Sequence, residues 1–84
     1  MDPMRWSIPV NVVTEELGKL LAITSALEAA DFLLMHWPLD ETGPAHVTAR
    51  RACIQVLGGK EPPEFARAAF IKACEAAGIF VQAK

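Results

Sequence analysis

The stretch SALEAADFLLMHWP, residues 25–38, decides the fold, because the segments on either side of it read as its packing. Ser25 followed three residues later by Glu28 is a capping box, in which each side chain satisfies a backbone N–H at a helix start. Leu27, Ala30, Leu33, Leu34 and Trp37 then fall at helical spacing and predict one broad apolar face. Phe32 and Met35 put large apolar groups elsewhere on the wheel, leaving Glu28, Asp31 and His36 as its polar positions. Such a helix needs cover on more than one side. Pro38 ends it, since the residue before a proline is pushed out of the helical region.

On the N-terminal side, Trp6, Ile8, Val10 and Val12 alternate with Ser7, Pro9, Asn11 and Val13, the period of a half-buried strand. Pro9 cannot donate to a ladder, so the strand is expected on an edge, or with that missing donor turned outward. TEELGK, residues 14–19, reads as a polar turn with Gly18 suited to a positive φ, and Leu20 to Thr24 is a second apolar run. A β-hairpin is the simplest connection. A helix running back to Glu15 is the competing reading.

On the C-terminal side, Leu39 to Gly43 reads as a loop, and Pro44 in a first turn opens a helix to about Leu57. Its inward stripe is Ala45, Ala49, Ala52, Cys53, Val56 and Leu57, and Gly58-Gly59 stops it. A third helix runs from near Pro63 to Ala77, with Phe65, Ala66, Ala69, Phe70, Ala73, Cys74 and Ala77 facing inward and Gly78 at the C′ position. Ile79 to Gln82 is β-prone. The expected class is therefore α+β: an N-terminal β-hairpin packed on three α-helices, with a possible short C-terminal third strand.

Eighty-four residues make one domain, 1–84, and 52% apolar content is enough for a core. No run approaches the ~20 apolar residues of a membrane span. MDPMRWSIPV has an acid at position 2 and no long apolar region, which argues against a secretory signal and makes the cytoplasm the expected setting. Net charge is −2, which argues against a dedicated nucleic-acid binder. The charge is uneven, however. Residues 1–42 carry two basic and seven acidic side chains, residues 43–84 six basic and three acidic.

Chemistry finds little to work with. His36, His46, Cys53 and Cys74 make a nominal zinc inventory, but none lies at CxxC or HxxxH spacing, and both cysteines fall on core stripes. Both are expected to be reduced, buried thiols. A His46–Cys53 nucleophile pair would be separated by ~10.5 Å along one helix, beyond hydrogen-bond reach, and His46 reads as a half-exposed first-turn residue. No carboxylate pair and no phosphate-binding glycine loop appears, so no catalytic residue, cofactor or metal is expected. Arg50 and Arg51, with Lys60, Arg67 and Lys72, are the one candidate basic patch, against the simpler reading of a solvated helix face.

The order of motifs carries a resemblance. Pro9-Val10 and Val12 precede the capped helix and its Leu33-Leu34 pair. Then come Trp37-Pro38, Gly43-Pro44-Ala45-His46, Ala49, Cys53, the Leu57-Gly58 stop, Ala66-Arg67, Ala69-Phe70-Ile71 and Glu75-Ala76-Ala77-Gly78-Ile79. From about Trp6 to Val81 the chain resembles the short alphaproteobacterial, mostly rhizobial proteins grouped as Domain of Unknown Function 982. The resemblance implies a small single bacterial domain, and brings no activity, cofactor or catalytic residue.

The leading expectation is a non-catalytic interaction module that self-associates as a homodimer, through the hairpin edge or the surplus apolar surface of the central helix. The alternative is a weak nucleic-acid-binding regulator using the basic face of the second and third helices. Candidate interaction residues are Trp6, Pro9, Arg50, Arg51, Lys60 and Arg67.

Overall fold

The structure, a computed structural model, describes residues 5–14, 19–37 and 42–82. The elements follow in the order β1 (Arg5–Thr14), β2 (Lys19–Ser25), α1 (Ala26–Met35), α2 (Pro44–Leu57), α3 (Pro63–Ala76) and β3 (Val81–Gln82). The class is α+β, with one antiparallel three-stranded sheet of order β2-β1-β3. The hairpin partner of β1 is thus a strand rather than a helix, and the short tail strand is present. Residues 15–18 of the turn, Gly18 among them, and 38–41 of the following loop lie outside the described residues.

Strand β1 is central rather than on an edge, which corrects one of the two placements open to Pro9. The β1–β2 ladder pairs Arg5 with Ser25 and Val10 with Ile23, so it breaks between them, and Pro9 falls in that break. On the other side, among the described residues, β3 pairs with Asn11 and Val12, and Val13 N–H donates to Phe80 O at 3.0 Å. The same break interrupts the period of two: Trp6, Val10 and Val12 are buried, whereas Ile8 is exposed. Arg67 on α3 closes this stretch, its Nε–H donating to Ile8 O at 2.9 Å.

The start of α1 is half a capping box. Ser25 Oγ accepts the Glu28 N–H at 3.2 Å, but the Glu28 carboxylate takes the N–H and the hydroxyl of Thr24, both at 2.7 Å, one residue earlier than the box predicts. Helices α2 and α3 end identically. Lys60 N–H bonds Gln55 O across Gly59 (φ +78°), and Ile79 N–H bonds Cys74 O across Gly78 (φ +75°), the left-handed turn that glycine adopts without a Cβ clash.

Helix α1 packs on β2, α3 on β1 and β3, and α2 on both of these helices. The Cα radius of gyration is 11.7 Å, about that of a compact chain of this length. A string of rings runs through the interior. Trp6 meets Phe70 at 5.9 Å, Phe70 meets Phe32 at 5.9 Å, Phe32 meets Trp37 at 6.0 Å, and Trp37 meets His46 at 5.2 Å. Two of these contacts, Phe32–Phe70 and Phe32–Trp37, are edge-to-face, the arrangement the ring quadrupoles favour.

Candidate functional site

Helix α1 turns a different side to the core than its large residues predict. Ala26, Ala29, Phe32 and Leu33 are buried, with Trp37 just beyond the helix, while Leu27 is 65% exposed, Leu34 66% and Met35 71%. Alanines on the inward side permit close approach of α1 to the elements it packs on. Two of the five residues predicted for the apolar face therefore point outward, and Phe32 points inward. Helix α2 repeats the pattern: Ala49, Ala52, Cys53 and Val56 are buried, while Val47, Ile54 and Leu57 are exposed. Leu57 and Phe65, both placed on inward stripes by their spacing, lie at the surface.

A second exposed apolar row crosses the outer face of the sheet. Val13 pairs with Leu20 on β2 and bonds Phe80 beside β3, and all three side chains are exposed. The free edge of β2 beside it is partly closed. Because Val13 turns its N–H toward β3, alternation leaves the backbone groups of Leu20, Ala22 and Thr24 facing the open side. Glu28 takes the last of these N–H groups.

The residues singled out from sequence do not converge. Trp6 is 4% exposed against Phe70, so it is core and not an interaction anchor. Pro9 is exposed at the ladder break. Arg50, Arg51 and Lys60 are exposed, but Arg67 is folded onto β1, with its Nη1 also 3.8 Å from Glu64. The basic face expected across both helices therefore loses Arg67 to the sheet. Lys72 instead lines a groove of about 370 Å³ between α2 and α3, with Ala45, Thr48, Phe65, Ala68 and Ala69.

His46 departs furthest from its half-exposed reading. It is 5% exposed, its ring lies against Trp37, and its Nε2–H donates to Leu33 O at 3.0 Å. Leu33 belongs to the last turn of α1, where carbonyls lack helical partners, so α2 caps α1 from outside. His46 Nδ1 and Trp6 Nε1 are buried without a hydrogen-bond partner among the described residues. Among the described residues no three histidine, cysteine or acidic side chains group as a metal site would require. No helix among them is long and apolar enough to cross a membrane.

The two thiols are free and fully buried. Burial pushes Cys53 from an ordinary 9.0 up to about 11. Burial, with the charge of Glu75 adding to it, pushes Cys74 up to about 12. Both shifts favour the neutral thiol in the folded state, so their contribution is complete below pH 9 and is lost as pH rises through 11 and 12. Thermal melts are expected to show an alkaline fall in Tm that is shallower in Cys53→Ala/Cys74→Ala than in the parent. Equal slopes would show that the thiols ionise as freely folded as unfolded.

The model of the family described as protein of unknown function, DUF982, matches residues 8–81. The chain belongs to the DUF982 family. Among solved structures, this DUF982 domain is similar to the NMR structure of Agrobacterium tumefaciens protein Atu1219, at 31% identity and a TM-score of 0.79. The match covers 99% of this chain and 81% of that one. Among curated proteins there is no match. The DUF982 match at residues 8–81 thus takes in most of the sheet and all three helices.

Proposed function

We propose that this DUF982 domain is a non-catalytic protein-interaction module that self-associates. One observation carries the reading: α1 buries two alanines completely and leaves two leucines and a methionine about two-thirds exposed. Hydration of exposed apolar area is unfavourable by ~25 cal/mol per Å², and contiguous exposed apolar area on a small domain marks a contact surface. The basic residues support the nucleic-acid alternative less well, since Arg67 is committed to Ile8 O and Glu64.

Sedimentation at low salt and at about 0.5 M salt is expected to give a dimer in both, because apolar contacts are not screened. A monomer at every concentration would overturn self-association. A titration with DNA and RNA completes the experiment. Salt-steep binding that weakens in Arg50→Ala/Arg51→Ala, with the slope reduced by about one to two units, would replace the proposal with the nucleic-acid reading.

A further inference from the structure

The outward sides of α1 and α2 carry the same pattern with opposite charge. On α1, Leu27 and Leu34 are seven residues apart with Asp31 between them. On α2, Val47 and Ile54 are seven residues apart with Arg50 and Arg51 between them. All of these side chains are exposed. Seven residues are close to two turns, so each apolar pair lies on one line along its helix, ~10.5 Å long. Among the described residues, Asp31, Arg50 and Arg51 have no ion pair within the chain.

We propose that the occupant of this surface is a second copy of the same chain, with α1 of each copy lying on α2 of the other. The proposal rests on the self-association reading and gives it a surface. Setting Leu27 against Ile54 and Leu34 against Val47 runs the helices antiparallel. Asp31, four residues after Leu27, then falls opposite the residue four before Ile54, which is Arg50. Reversing the direction sets Leu27 against Val47 and brings Asp31 opposite Arg51. Either register closes an acid on an arginine between two apolar contacts, and a twofold axis repeats the contact. Alignment within one chain could not do this, because α1 and α2 already spend their facing sides on each other. The sheet offers no such match: its outer row of Leu20, Val13 and Phe80 carries no charge, and Glu28 takes one of the edge donors of β2.

Charge reversal tests the contact. Asp31→Arg sets arginine against arginine at both symmetry-related contacts, and Arg50→Asp/Arg51→Asp sets acid against acid. Each is expected to weaken dimerisation about a hundredfold, judged by sedimentation of the full chain. An equimolar mixture of the two is expected to restore a heterodimer, since one contact regains an opposite pair and the other keeps the original one. Amide spectra of each variant check that the fold is retained, and Leu34→Lys provides an independent disruption that neither charge variant rescues. A dimeric parent whose charge variants dimerise with unchanged affinity would overturn this surface and leave self-association standing. So would two folded, monomeric variants that fail to combine. A monomeric parent would overturn both.

Discussion

Phe70→Ala is expected to cost ~3–5 kcal/mol, the range for truncating a fully buried aromatic. Phe70 is 0% exposed and sits between two rings, Trp6 from β1 and Phe32 from α1, each with its centroid 5.9 Å away. Three of the fold's units therefore meet on this side chain: the sheet, α1 and α3. A domain of this size has ~4–13 kcal/mol of stability in all, so the variant should be marginal at room temperature. Each kcal/mol shifts Tm by ~4–8 °C at this length, which predicts a fall of at least ~12 °C. Phe80→Ala supplies the contrast within one residue type. Phe80 is 61% exposed beside β3, and its truncation should move Tm by only a few degrees. Equal losses in the two variants would show that the ring string is not the centre of the core.

The elements themselves were legible because their signals are local. Pro44 and Pro63 open helices, Gly59 and Gly78 close them in left-handed turns, and the Ser25 cap separates β2 from α1. Each signal acts within a few residues, so a linear reading can find it. Which side of α1 faces inward was not legible. Leucine outweighs alanine in any hydrophobic pattern, so Leu27 and Leu34 drew the predicted face toward themselves. The choice is made by how closely α2 and α3 approach, a property of the partners and not of α1. Ile8 and Pro9 fail for a related reason, since the ladder break is set by β2 against β1 and has no counterpart in the alternation of β1 alone.

The candidate surface was legible only in part. The need of α1 for cover on more than one side follows from its wheel, and the exposed Leu27, Leu34 and Met35 are that surplus. Val47 and Ile54, missed from sequence, had a signal in their seven-residue spacing around Arg50 and Arg51. Arg67 was misplaced because a positive charge on a helix reads as solvated until an unpaired carbonyl is brought to it. That carbonyl, Ile8 O, is 59 residues away along the chain.

His46→Ala is expected to cost ~2–4 kcal/mol, from two separable losses. Removing the imidazole leaves a void against Trp37, whose ring centroid is 5.2 Å away. It also leaves Leu33 O at the end of α1 without its donor, and an unsatisfied buried acceptor costs ~1–3 kcal/mol. His46→Leu refills most of the void but not the hydrogen bond, and His46→Gln restores an N–H donor on a flexible stem. Stability is therefore expected in the order parent, Gln, Leu, Ala, with Gln and Leu separated by about 1 kcal/mol. The bond also fixes the ring's tautomer. A backbone carbonyl can only accept, so Nε2 carries a proton, and in the neutral tautomer Nδ1 then has the lone pair. Long-range proton–nitrogen spectra of the neutral ring should show a protonated Nε2 and an unprotonated Nδ1. The reverse assignment, or a His46→Ala variant as stable as the parent, would mean that α1 ends without help from α2.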